Sequence, residues 1–100
     1  MVLREWEHTI HVDRNSELKI ATIQYALHDA QRTSRYAKFI CGKYYICVTF
    51  NRDYTIQISS NYRYNMRFNK EILRIESYKY RINQTAEFIQ YWMNKFRKLG

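Results

Sequence analysis

Tyr44-Tyr45-Ile46-Cys47-Val48-Thr49-Phe50 alternates by parity, with Tyr44, Ile46, Val48 and Phe50 on one side and Tyr45, Cys47 and Thr49 on the other. Successive side chains of a strand point to opposite faces, so this alternation predicts a half-buried β-strand. The same texture continues on both sides. Tyr54, Ile56 and Ile58 alternate with Thr55, Gln57 and Ser59, and Tyr62, Tyr64, Met66 and Phe68 alternate with Arg63, Asn65 and Arg67. Residues 71–82 are less regular: Leu73 and Ile75 share one parity and Tyr78, Tyr80 and Ile82 the other. A one-residue slip near Glu76-Ser77 would be a β-bulge. Residues 36–41 read as an optional further strand, hairpinned back at Gly42-Lys43.

The turns must be built almost without the usual residues, because the chain has no proline and its two glycines are Gly42 and Gly100. Asn, Asp and Ser hydrogen-bond their own turns and tolerate left-handed backbone. They cluster at Asn15-Ser16, Asn51-Arg52-Asp53, Ser59-Ser60-Asn61 and Asn69-Lys70, which are read as reversals or element boundaries.

Further out the period changes. Residues 4–12 alternate, with Trp6, His8, Ile10 and Val12 on one side, and predict a strand. Asp13 to Ser16 ends it and offers a helix N-cap. Residues 16–31 place Ile20, Ile23, Leu27 and Ala30 on one stripe at helical spacing. Glu17 near the start and His28 near the end suit a helix dipole. Lys19 to Leu27 can also be read as alternating, so a strand pairing back on residues 4–12 is the competing reading; the helix is preferred. Asn83 is expected to cap a last helix over about 84–98, with the stripe Ala86, Ile89, Trp92, Met93, Phe96 and Leu99. The whole predicts one α+β domain over residues 1–100. Its antiparallel sheet has four or five strands, with two helices packed on one face, in the order β-α-(β)-β-β-β-β-α.

The 100-residue chain is 46% hydrophobic and 26% charged, an ordinary globular balance. Its formal net charge is +8, unevenly placed: residues 1–30 carry −2 and residues 31–100 carry +10. A basic excess confined to part of a chain suits an anionic partner, although positive charge also serves solubility alone. No apolar run approaches 18 residues, so no transmembrane helix and no membrane partner are expected. The N-terminus is charged too early for a signal-peptide core, and two cysteines are few for a secreted scaffold. An intracellular, cytoplasmic location is expected.

The strongest candidate site is the polar face of the central strands. If Tyr62, Tyr64, Met66 and Phe68 face the core, Arg63, Asn65 and Arg67 point together to solvent, and Tyr45, Thr49, Thr55 and Gln57 can join them. Lys79 and Arg81 belong to the same surface if Tyr78 and Tyr80 point inward. Arg35 and the C-terminal Lys95, Arg97 and Lys98 extend the track. Cations neutralise phosphates and exposed tyrosines stack on bases. The bland alternative is an ordinary solvated sheet face.

Other chemistry is poorly supported. His8 and His11 point opposite ways on a strand, and no Cys-x-x-Cys or His-Glu-x-x-His spacing exists, so no metal is expected. On one straight strand Cys41 and Cys47 would lie roughly 20 Å apart; across a two-residue turn they are not opposite each other. Neither arrangement suits a disulfide. Without a glycine-rich phosphate loop or a nucleophile elbow, no catalysis and no cofactor are expected. The Tyr91-Trp92-Met93 cluster reads as a core plug, or as an anchor for a partner or a second copy in a homodimer.

The leading expectation is therefore a non-enzymatic, basic nucleic-acid-binding accessory protein, with a single strand more expected as its partner than duplex. A short, cysteine-poor, proline-free chain rich in Asn, Tyr and Lys has the composition of a phage or mobile-element accessory protein. This frames the alternative: an inhibitor using the same face to dock on an acidic protein surface of a host nucleic-acid-handling or defence complex.

Overall fold

The alternating stretch at 44–50 lies at the centre of a five-stranded sheet. The computed structural model describes residues 9–62, 73–74 and 78–99. Its elements are β1 (Thr9–His11), α1 (Ile20–Arg32), β2 (Tyr36–Cys41), β3 (Tyr44–Phe50), β4 (Thr55–Ser60), β5 (Leu73–Arg74) and α2 (Tyr78–Leu99). Strand order follows the sequence, β1-β2-β3-β4-β5.

The β2–β3 hairpin forms where expected. Cys41 pairs with Tyr44, and Gly42 takes φ +64°, the left-handed backbone that a two-residue hairpin demands and glycine supplies without strain. The β3–β4 reversal has no glycine and is made by Asn and Asp instead. The Asn51 side-chain amide donates to Thr55 Oγ1 at 2.9 Å, and that hydroxyl donates to Asp53 Oδ1 at 2.6 Å. Tyr54 takes the left-handed position, φ +65°. It therefore lies in the turn, 59% exposed, rather than on the apolar side of β4 as its parity suggested.

The expectation of an all-antiparallel sheet is corrected at one edge. β1 pairs with β2 in parallel, Thr9 with Lys38 and His11 with Ile40. The reason is connectivity: α1 carries the chain back to the end where β1 began, so β2 must run the same way, whereas tight hairpins elsewhere force antiparallel pairs. Ile20–Arg32 is helix rather than strand, so α1 starts later than expected. Asp13 builds its own turn, accepting from the backbone N–H of Asn15 at 2.9 Å, and Lys19 is the N-cap without a side-chain cap bond. At the other end Arg35, φ +64°, closes the helix by donating its N–H to Ala30 O at 2.6 Å, a place glycine usually fills.

The largest correction concerns residues 78–82, expected as strand. They open α2, and Asn83 lies inside that helix, its side-chain oxygen accepting from Gln24 Nε2 at 3.1 Å. Ile82 explains why: it stands four residues before Ala86 and extends the stripe Ala86, Ile89, Met93 and Phe96, all buried with it. The tail of the stripe also differs, because Leu99 is 49% exposed. Strand residues expected at 4–8, 63–68, 71–72 and 75–77, and the turn at Asn69-Lys70, lie outside the described residues.

Both helices cover the same sheet face. Ile23, Ala26, Leu27 and Ala30 of α1 and the α2 stripe share one core with Ala37, Phe39, Cys41, Ile46, Val48, Phe50 and Ile56. Each large apolar side chain so buried contributes about 1.5–3 kcal/mol. Gln24–Asn83 and the Gln90 Nε2 bond to Leu18 O at 3.0 Å show that α1 and α2 run antiparallel. At the far end of α2, Phe96 sits among Tyr44, Tyr62 and Trp92 with ring centres 5.1–5.8 Å away. Trp92 is half-buried there as a core residue, and its neighbour Tyr91 stays 57% exposed.

Candidate nucleic-acid interface

With both helices on one side, the other side of the sheet carries no layer among the described residues. The registers place its side chains in rows. His11, Ile40 and Tyr45 form one; Thr9, Lys38, Cys47 and Ser59 the next; Tyr36, Thr49 and Gln57 a third. Thr55 follows at the edge but is buried by its bonds to Asn51 and Asp53. None of these outward strand residues is a carboxylate, and Lys38 is the cation at the centre.

Lys38 and Tyr45 are diagonal neighbours on β2 and β3, within the reach of long side chains. The Lys38 Nζ stands 4.6 Å from the Tyr45 ring centre, a cation–π contact. Tyr36 lies in the row of Thr49, four residues from Tyr45 along β3, or about 13 Å. Its hydroxyl is 3.5 Å from Cys47 Sγ. Two tyrosine rings therefore bracket one lysine among described strand positions otherwise made of Thr, Ser, Gln, His, Ile and Cys.

The expected site residues divide. Tyr45, Thr49 and Gln57 share this face, as their parity implied. Arg63, Asn65 and Arg67 lie outside the described residues. Lys79 and Arg81 stand on α2 rather than on a strand, and Arg81 donates to Gln84 at 2.7 Å. Arg35 is in the α1–β2 turn, next to Tyr36 at the end of the open face. Lys95, Arg97 and Lys98 end α2, in the layer that covers the opposite side. Lys95 Nζ lies 5.4 and 5.5 Å from the rings of Tyr91 and Trp92.

Tyr36 and Lys38 are the residues that sequence reasoning did not single out. The signal was present: Tyr36, Lys38 and Ile40 alternate with Ala37, Phe39 and Cys41, the pattern already used for 44–50.

The cysteines fall on opposite faces, both as free thiols. Cys47 is on the open face, half-buried; Cys41 is in the core beside the hairpin. Burial pushes the Cys41 thiol up, while the nearby Arg14 and Arg97 pull it down and Asp13 adds to the rise. Among the described residues no three His, Cys, Asp or Glu side chains gather as a metal site, and no helix is long and apolar enough to cross a membrane.

Compared with family models, curated proteins and solved structures, the chain matches none.

Proposed function

We propose that this protein binds single-stranded nucleic acid on the open face of its sheet and catalyses no reaction. The observation that carries the reading is the Lys38–Tyr45 pair with Tyr36 beyond it, on described strand positions free of carboxylates, in a chain of net charge +8. Tyrosine rings offer stacking platforms to any base, and a cation between them neutralises the backbone that links those bases. Thr49, Gln57 and Ser59 supply hydrogen bonds that fit a base edge or a sugar hydroxyl. A flat face admits a single strand more readily than a duplex, whose bases are already stacked.

A second reading draws on Ile40, an aliphatic side chain in the same row as Tyr45. In it the face docks on an acidic protein surface, as an inhibitor of a host nucleic-acid-handling or defence complex encoded by a phage or mobile element.

Fluorescence anisotropy with labelled single- and double-stranded oligonucleotides, at several salt concentrations, separates the two. Affinity for single strands that falls log-linearly with salt, with a slope of about −0.7 per phosphate contacted, supports nucleic-acid binding. Absence of binding at low salt overturns it. A stoichiometric protein retained from nuclease-treated lysate then supports docking.

A further inference from the structure

Opposite the open face, three cations from distant parts of the sequence meet at one end of the molecule. Arg14 comes from the turn after β1, Lys43 from the tip of the β2–β3 hairpin, and Arg97 from the last turn of α2. Arg97 Nε donates to the Arg14 carbonyl at 3.3 Å, which ties two of them together across the whole length of the chain. Arg14 and Lys43 line a cleft of about 260 Å³ together with Cys41, Gly42, Tyr44 and Phe96; Arg97 stands behind Arg14 rather than in the lining, its Nη1 donating to Asn94 Oδ1 at 2.8 Å. The cleft volume is many times the roughly 30 Å³ share of one water. It is slightly below the roughly 300–1,000 Å³ of sites for drug-sized ligands. That is room for one charged group with part of its hydration.

We propose that this cleft is a phosphate-binding site formed by Arg14 and Lys43, with Arg97 positioning Arg14 through its backbone carbonyl.

The charge balance favours an anion. Among the described residues none of the three cations is held in an ion pair. Asp13 is the acid near the cleft, and its oxygens turn back onto the N–H of Asn15 and the hydroxyl of Ser16. The carbonyl end of α2 adds the equivalent of roughly half a negative charge, which accounts for cations gathering there and leaves a clear positive excess. Burial raises the Cys41 thiol at the cleft floor, and against it Arg14 and Arg97 each favour the anionic form. A guanidinium such as that of Arg14 matches phosphate oxygens in pairs, and the Lys43 ammonium adds a mobile point charge. Gly42 has open space where a side chain would stand, so the hairpin backbone is accessible to the ligand.

The site goes beyond the sheet-face reading and does not need it. The phosphate group can come from a phosphodiester backbone or from a phosphate monoester, and the test separates these sources. Amide NMR shifts of the full chain are followed during titration with inorganic phosphate, and separately with a short oligonucleotide carrying no terminal phosphate. Saturable shifts at Gly42 and Lys43 are expected. With Lys43→Gln or Arg14→Gln affinity drops about tenfold, the loss of one charge-assisted hydrogen bond, while Arg52→Gln, in the β3–β4 turn at the other end of β3, leaves it unchanged. Response to the oligonucleotide identifies a diester ligand; response to inorganic phosphate alone identifies a monoester and stands even if the sheet face binds no nucleic acid. Equal loss from Arg52→Gln, or unaltered affinity in folded Lys43→Gln and Arg14→Gln proteins, overturns the proposal.

Discussion

Lys38 and Tyr45 meet diagonally across the β2–β3 ladder, with the ammonium 4.6 Å from the ring centre. The contact holds the ring on the open face and keeps a cation beside it, at the middle of a surface whose described strand positions carry no carboxylate. Its contribution to stability is small, about 0.5–1 kcal/mol for an exposed cation–π pair. Its consequence for binding is larger. Tyr45→Ala is expected to weaken single-strand binding by the equivalent of about 1–3 kcal/mol, one base stack, without altering the fold. Lys38→Gln should flatten the salt dependence by about 0.7 in the log–log slope. Anisotropy titrations on both variants, with circular dichroism as the fold control, measure this; affinities equal to the parent protein place the ligand elsewhere.

The thiols give a second readout. Cys47 is half-exposed on the open face, whereas Cys41 is 1% exposed in the core. Iodoacetamide at neutral pH is expected to label Cys47 well before Cys41, and an oligonucleotide lying on the sheet should protect Cys47. Mass spectrometry of the alkylated peptides follows both rates. Labelling of Cys47 that is indifferent to saturating oligonucleotide speaks against binding on this face.

Burial raises the Cys41 pKa, so the unfolded chain loses this proton first as pH rises. The stability contributed by keeping the thiol neutral is full below about pH 8.5, the ordinary cysteine value, and is lost progressively as pH climbs through the folded value. Denaturant midpoints of the parent and Cys41→Ala proteins should therefore draw together above pH 9. A constant difference across that range would mean that the thiol ionises equally in both states.

Phe96 anchors the end of α2 against Tyr44 and Tyr62 with 1% exposure. Phe96→Ala is expected to cost about 3–5 kcal/mol. That is a large part of the roughly 5–15 kcal/mol that holds a small domain folded. Chemical denaturation measures the loss, and a cost under 1 kcal/mol would mean that the aromatic cluster does not pack as described.

Two left-handed positions make opposite predictions. Gly42→Ala meets no atom within 4 Å, so its cost is backbone strain alone, about 1–2 kcal/mol. Arg35 already bears that strain at φ +64°, and Arg35→Gly relieves it at about 0.4–1 kcal/mol of added unfolded-state entropy. Arg35→Gly is expected to be neutral or stabilising. Urea midpoints of the two variants should move in opposite directions, or Arg35→Gly should not move at all.

The amino-acid order by itself determined the elements whose signals are local. The parity of 44–50 placed Ile46, Val48 and Phe50 inside and Tyr45, Cys47 and Thr49 outside, because a pleated strand has no other way to bury one set. Gly42, Asn51 and Asp53 marked their reversals, and the spacing of Ile23, Leu27 and Ala30 marked a helix. Where two periods fitted the same residues, locality was insufficient. Tyr78, Tyr80 and Ile82 satisfy a strand's parity, and they became helix because Ile82 continues the α2 stripe into the core. Only the tertiary structure decided the direction of β2 against β1, which depends on where α1 delivers the chain. It alone separated Lys38 and Tyr45 on one face from Arg14, Lys43 and Arg97 on the opposite side, since those groupings arise from contacts between residues up to 83 positions apart, which no sequence period records.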